Sequence, residues 1–148
     1  MNLEKMVKIK VKKLHPDALL PAYAHPGEDA GMDIYSLSDM IIKAGERALI
    51  PTGLSMEFPP GNVALVWDKS GLAAKNGLKT MAGVIEHSYR GEYKIVVFNT
   101  SKDDYEVKKG QKVAQLLIQP IHTAEIEEVQ ELSQTSRGEG GFGSTGVK

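Results

Sequence analysis

Short apolar segments separated by turn residues recur along the whole chain of 148 residues. Residues 7–12 alternate apolar and charged side chains with period two, which is typical of a half-buried strand. Gly and Pro turn signals separate the segments every ~8–12 residues, a spacing that predicts an all-β sandwich or barrel. The later apolar segments span residues 40–42, 48–50, 63–66, 95–98 and 112–118.

One segment departs from this pattern. Residues 70–77 place helix-forming side chains between Ser70, a candidate N-cap, and Gly77, a candidate stop, and so predict a short helix. Ser70 and Gly71, with the charge of Lys69, also suit binding of a small anion. The alternative interpretation is a plain helix cap.

The C-terminal segment has a different composition from the rest of the chain. Residues 137–146 contain five glycines in ten positions, together with Arg137, Phe142, Ser144 and Thr145. So many glycines make a strand or a helix entropically costly, which predicts an irregular tail. The same residues supply a cation, an aromatic ring and two hydroxyls. The tail is therefore either a disordered terminus or a flap that closes over a nucleotide.

Composition removes several function classes. The formal net charge is −1, so nothing in the overall charge favours nucleic acid as a partner. Cys is absent, which excludes disulfides, a thiolate zinc site and a Cys nucleophile. No apolar segment approaches 18 residues and no signal-peptide core follows Met1. We therefore expect a cytoplasmic domain without a membrane partner.

Few segments carry recognisable chemistry. The four histidines are scattered, and neither a P-loop nor a G-x-S-x-G turn is present. Residues 82–92 resemble a β-hairpin tip that places Glu86, Tyr89 and Arg90 close together. A carboxylate there could deprotonate water, and an aromatic ring could stack on a sugar or a base. A charged turn with a surface Tyr is the alternative.

Five segments together resemble the ordered motifs of the trimeric dUTP diphosphatases (dUTPases). They are AGMDI at 30–34, KSGLAAKNG at 69–77, AGVIEHSYRGE at 82–92, GQKVAQL at 110–116 and RGEGGFGSTG at 137–146. The resemblance implies an all-β fold, a jelly-roll-like distorted β-barrel with one short helix and a flexible Gly-rich C-terminal arm. It also implies a barrel domain over residues 1–136, and a flap over 137–148 that closes a neighbouring subunit's active site in a homotrimer.

The activity implied by this resemblance is attack of water on the α-phosphorus of dUTP, giving dUMP and pyrophosphate. Such a reaction limits uracil incorporation into DNA and supplies dUMP for thymidylate synthesis. Glu86 would be the catalytic base, and Asp33 would support the polar network of the site. The implied base and sugar contacts come from Thr80, Gly83, Val84, Ile85, Tyr89, Lys94 and Phe142. The implied phosphate contacts come from Lys69, Ser70, Gly71, Gln115, Arg137, Ser144 and Thr145.

Mg²⁺ is the implied cofactor, held through phosphates and water rather than by direct protein ligands. Three positions depart from the family pattern. Glu86 stands where the family has Asp, Ser88 replaces a second acidic residue, and Lys69 replaces Arg. These changes leave two alternatives open. One is a nucleotide-binding sensor with weak hydrolysis, and the other is a relative of dCTP deaminase, which shares the fold.

Overall fold

The computed structural model describes residues 6–146 of the chain. Within them the backbone forms eleven strands and one short helix, so the predicted all-β character is confirmed. In chain order the elements are β1 (Lys10–Lys13), β2 (Met32–Tyr35), β3 (Met40–Ile42), β4 (Arg47–Pro51), β5 (Leu54–Glu57), β6 (Asn62–Trp67), α1 (Ser70–Asn76), β7 (Leu78–Met81), β8 (Val84–Glu86), β9 (Lys94–Asn99), β10 (Tyr105–Val107) and β11 (Lys112–Pro120).

The strands form distorted antiparallel sheets around one core. A four-stranded sheet has the order β2-β11-β6-β8, and a three-stranded sheet has the order β4-β9-β7. Two further pairs, β1-β5 and β10-β3, complete the described sheets. Buried side chains from every sheet form a single apolar cluster that includes Ile34, Ile42, Ile50, Leu54 and Leu116. This arrangement is the predicted jelly-roll-like architecture, built from separate sheets rather than from one closed barrel.

The apolar pattern locates half of the strands. All five later apolar segments lie in strands, whereas the first strand begins at Lys10 instead of residue 7. Strands β2, β5, β7, β8 and β10 were not predicted. Each has only three or four residues, and most carry a polar side chain in a buried or half-buried position, as Ser55 does in β5. Such strands depend on their neighbours for pairing, so local periodicity does not reveal them.

The predicted helix is present, but its N-cap is not the expected residue. Lys69 occupies the N-cap position with extended backbone angles and makes no side-chain capping hydrogen bond. Ser70 is the first helical residue, so its prediction as a cap is wrong. Gly77 ends the helix as predicted. It adopts a left-handed conformation (φ 67°), and its N–H points at the carbonyls of Ala73 and Leu72.

The chain beyond β11 has no helix or strand in its described part. Residues 121–146 are almost entirely exposed, and they include five large apolar side chains in solvent, of which Ile126, Leu132 and Phe142 are the most exposed. Residues 147–148 of the predicted flap lie outside the described residues. The described residues contain no helix with the length and apolar character needed to span a membrane.

Candidate active site

A cleft of about 390 Å³ opens between β7, β8 and β9. Six residues that the sequence assigned to base, sugar or catalysis line it, namely Gly83, Val84, Ile85, Glu86, Tyr89 and Lys94. Its other walls are largely apolar, with Leu49, Met81 and Val96 among them. An apolar cleft with a few polar groups at its rim has the general character of a small-molecule site.

The segment at the mouth of this cleft is more elaborate than the predicted hairpin tip. Strands β7 and β9 do pair with each other, with Met81 opposite Val96. Between them, however, β8 leaves this sheet and pairs with β6, placing Glu86 opposite Val63. The description of residues 82–92 as a simple tip is therefore wrong. The excursion pairs the backbone of Glu86 with a strand of the larger sheet, which fixes its Cα position.

Gly83 is required where the backbone turns into β8. Its φ is 98°, and a Cβ at this position would lie 2.9 Å from the carbonyl oxygen of Val66. The carbonyl of Gly83 accepts a 2.8 Å hydrogen bond from the Val66 N–H. A side chain on any other residue at this position would push the backbone away from β6. Gly83 thus holds the cleft floor against the sheet.

Tyr89 forms an aromatic wall of the cleft. Its ring centroid lies 6.1 Å from that of Tyr93, and its hydroxyl donates to the Glu92 carbonyl at 3.1 Å. A Cβ on Gly91 would lie 2.3 Å from the Tyr89 hydroxyl oxygen, so a glycine is needed for this ring position. Tyr93 is buried beneath it, and burial raises the pKa of Tyr93 to about 12. The buried ring of Tyr93 supports the ring of Tyr89 from one side, while 44% of Tyr89 stays exposed.

A second polar cluster centres on Asp33. Its Oδ1 accepts a 2.5 Å hydrogen bond from Lys69 Nζ, and its Oδ2 lies 2.6 Å from Lys112 Nζ in an ion pair. Burial alone would raise the pKa of Asp33, but Lys112 and Lys69 outweigh it, so the pKa lies below the ordinary value. Asp33 is therefore a buried carboxylate anion that holds two cations next to Ser70 and the start of α1.

Asp68 directly precedes Lys69 and bonds to β7 and β11, and the sequence analysis missed it. Its Oδ1 accepts hydrogen bonds from the N–H and the hydroxyl of Thr80, at 2.6 and 2.7 Å. Its Oδ2 pairs with Lys79, and its carbonyl accepts from Gln115 Nε2 at 2.8 Å. Burial opposes ionisation, but Lys79 and Thr80 lower the pKa of Asp68. Its position directly before Lys69 was the only signal that could have found it.

Two predicted residues, Thr80 and Gln115, are thus joined through Asp68. Thr80 is buried in β7 and is not itself a wall of the cleft. Gln115 faces the same loop from β11. These contacts bring β7, β11 and the loop before α1 together. Ser70 and Gly71 are exposed beside them in the first turn of α1.

The C-terminal residues are not brought to the cleft of their own chain. None of the described residues 137–146 lines it. Arg137 Nε donates to the Gly140 carbonyl at 2.8 Å, and Phe142 is fully exposed with a positive φ of 49°. Ser144 and Thr145 lie in the same exposed turns. The assignment of these four residues to a nucleotide site stays a prediction.

Comparison with known proteins decides the family. The dUTPase family model matches residues 18–146. The chain belongs to the dUTPase family. A curated relative from Clostridium acetobutylicum, a deoxyuridine 5'-triphosphate nucleotidohydrolase, is 49% identical over 97% of this chain and 99% of its own. A relative of the same name from Nautilia profundicola is 49% identical over 95% and 99%.

Solved dUTPases share the fold as well as the sequence. The dUTPase of Staphylococcus bacteriophage 80alpha, solved with dUpNHpp, is 32% identical with a TM-score of 0.88, over 95% of this chain and 99% of that one. A mutant dUTPase from phage phi11 of S. aureus, solved to show the coordination of a structural Mg(II) ion, is 28% identical with a TM-score of 0.79. The match between them covers 86% of this chain and 99% of the phage chain. The resemblance carried by the five motifs is confirmed.

Proposed function

We propose that this protein is a dUTP diphosphatase that hydrolyses dUTP to dUMP and pyrophosphate. The observation that carries the proposal is the cleft, where five residues of the third motif, together with Lys94, form the walls and rim of one cavity. Membership of the dUTPase family supports it, since the relatives named above are deoxyuridine 5'-triphosphate nucleotidohydrolases. Such an activity limits dUTP and produces dUMP.

The cleft suits a pyrimidine deoxynucleoside. We assign base recognition to backbone groups of Gly83, Val84 and Ile85, with Thr80 and Lys94 as further contacts. Backbone N–H and C=O groups can read the edge of uracil, and a narrow cleft rejects a 5-methyl group. We assign the sugar to the ring of Tyr89, which is held in place by Tyr93 and Gly91. In this assignment the ring would exclude a 2′-hydroxyl.

The triphosphate is assigned to the cluster beside the cleft. Lys69, Ser70, Gly71 and Gln115 would contact it, with Arg137, Ser144 and Thr145 added by the flap. The described residues contain no group of three His or acidic side chains that could form a metal cage. We assign Mg²⁺ to the triphosphate, on which it would arrive with its own waters, rather than to direct protein ligands. Bound there, Mg²⁺ would neutralise phosphate charge.

Glu86 is assigned the role of general base. Its exposed carboxylate lies at the rim of the cleft, and β8 anchors its backbone. In the proposed reaction Glu86 accepts a proton from water as the water oxygen bonds to the α-phosphorus. The bond between that phosphorus and the bridging oxygen breaks, and pyrophosphate leaves with the electron pair. Lys69 and the backbone groups near it would stabilise the developing negative charge.

A homotrimer is the assembly we propose. Residues 121–146 leave Ile126, Leu132 and Phe142 in solvent and bring no residue to the cleft of their own chain. A second copy would cover these side chains, and the flap at 137–148 would close the neighbour's site. Sedimentation equilibrium should give a species three times the monomer mass of 16.1 kDa. A fully active monomer would contradict this assembly. The cytoplasmic location stays a prediction.

One assay tests the function. Purified protein is incubated with Mg²⁺ and dUTP, dCTP, dTTP or UTP, and the products are separated. We expect dUMP and pyrophosphate from dUTP, with much slower turnover of the other three nucleotides. Tight binding of dUTP without turnover would instead support a nucleotide sensor. Release of ammonia from dCTP would support a deaminase.

A further inference from the structure

The geometry points to Lys112 as a positioning residue that acts through Asp33 and keeps the positive charge of Lys69 available to the substrate triphosphate. This inference rests on the proposed function, because it concerns the phosphate end of the same site. Lys112 is not among the residues to which the five motifs assign a ligand contact. It is nevertheless one of two cations on a single buried carboxylate.

The charge balance of this cluster gives the reason. Asp33 has a side chain only 5% exposed, and its Oδ1 lies 2.5 Å from Lys69 Nζ. Alone, this pair would be neutral, and a triphosphate would meet a lysine whose charge a carboxylate already offsets. Lys112 adds a second cation at 2.6 Å from Oδ2. The cluster then carries a net charge of +1, and Asp33 divides its attraction between two partners.

The backbone of β11 places Lys112 there by means of a β-bulge. The register with β2 runs from Lys112 opposite Tyr35 to Ala114 opposite Ile34, which leaves Val113 as an extra residue. Val113 and Ala114 are consecutive, and both are buried. In a regular strand residues 112 and 115 would point to opposite faces of the sheet. The bulge puts both on the face of Asp33, and bulges often re-aim side chains near active sites.

Lys112 is also well suited to act on charge alone. Its side chain is 47% exposed, so its replacement removes little packing. The Asp33 carboxylate raises the pKa of Lys112, which favours the ammonium form. When Lys112 is removed, Lys69 is left as the single cation on Asp33 within residues 6–146. Its charge is then offset, and the affinity for phosphate should fall while the nucleoside cleft is unaffected.

The test compares a ligand with a triphosphate and one without. Calorimetry measures binding of dUpNHpp and of deoxyuridine to the full chain and to its Lys112→Met variant. We expect the affinity for dUpNHpp to fall about tenfold, the size of one lost charge-assisted contact, and that for deoxyuridine to change less than about twofold. Lys112→Arg should restore most of the loss. Lys108→Met, which removes an exposed lysine paired with Glu106, is the matched control and should bind normally.

The Asp33→Asn background separates an indirect role from a direct one. If Lys112 acts through Asp33, adding Lys112→Met to Asp33→Asn should change dUpNHpp binding by less than about twofold. An undiminished tenfold loss in that background would show that Lys112 contacts the phosphate itself, and would overturn the inference. An equal loss of affinity for both ligands, or no loss for either, would also overturn the inference. Because binding is measured, a wild-type protein that binds dUpNHpp but fails to hydrolyse dUTP would refute only the proposed function.

Discussion

Replacement of Glu86 by Gln tests the proposed chemistry most directly. Gln has the length and shape of Glu but cannot accept the proton of the attacking water, so the change isolates basicity from geometry. The β8–β6 ladder holds the Cα of residue 86 opposite Val63, and the side chain is exposed at the rim of the cleft. Folding should therefore be unaffected, with a change in unfolding free energy within ~0.5 kcal/mol.

The expected loss of turnover is large. General-base catalysis contributes ~10²–10⁴-fold, so kcat for dUTP should fall by that factor, which corresponds to ~2.7–5.5 kcal/mol in the barrier. The affinity for dUpNHpp should change little, because the amide that replaces the Glu86 carboxylate would leave the cleft walls and the Asp33 cluster intact. Steady-state release of pyrophosphate gives kcat, and calorimetry gives the affinity. Glu46→Gln, at an exposed turn away from the cleft, is the matched control.

Glu86→Asp measures how closely the cleft is adapted to the longer side chain. The backbone of β8 is held by its ladder, so shortening the side chain withdraws the carboxylate by about an ångström, and misplacement on that scale can cost ~10²-fold. We expect a slower enzyme. A faster Asp variant would mean that the water lies where the family's Asp reaches it. Should Glu86→Gln hydrolyse dUTP at the parental rate, Glu86 is not the base, and the mechanism proposed above fails.

Three further predictions concern the sugar, the tail and acid stability. Tyr89→Ala should raise the turnover of UTP relative to dUTP and weaken dUTP binding, because the ring is both a stacking surface and a steric wall. An unchanged ratio of kcat/KM for UTP to kcat/KM for dUTP would contradict this role. Deletion of residues 137–148 should lower kcat strongly with little change in Tm, because residues 137–146 are mostly exposed on their own chain. A matching loss of Tm would show that the tail is structural. Asp33 and Asp68 have lowered pKa values, although burial opposes their ionisation. In the unfolded chain these two carboxyls have an ordinary pKa of ~3.9. The unfolded state therefore takes up protons before the folded state does as the pH falls. Chemical denaturation should show stability that is full above about pH 5 and declines below about pH 4, and Asp68→Asn should flatten that decline.

The sequence alone determined the fold class, most of the long strands and the order of the motifs. These features depend on local properties: apolar periodicity in segments such as 63–66, and a glycine at position 77 that ends the helix in the left-handed conformation. Six residues that line the cleft were also named from the family resemblance, and they lie close together in the chain, within 83–94. Short strands such as β5 and β10 were not predictable, since their own pattern is too brief to show a period.

The tertiary structure decided how these parts meet. Asp33 and Lys69 are 36 residues apart, and only the packing of β2 against the loop before α1 brings their charges together. One extra residue in β11 turns Lys112 toward the same carboxylate. Regular strand alternation would instead place Lys112 and Gln115 on opposite faces of the sheet. Strand β8 pairs with β6 and not with β7, and this pairing fixes Glu86 on the larger sheet. Contacts of this kind depend on register and bulges between distant strands, so no local pattern of residues encodes them.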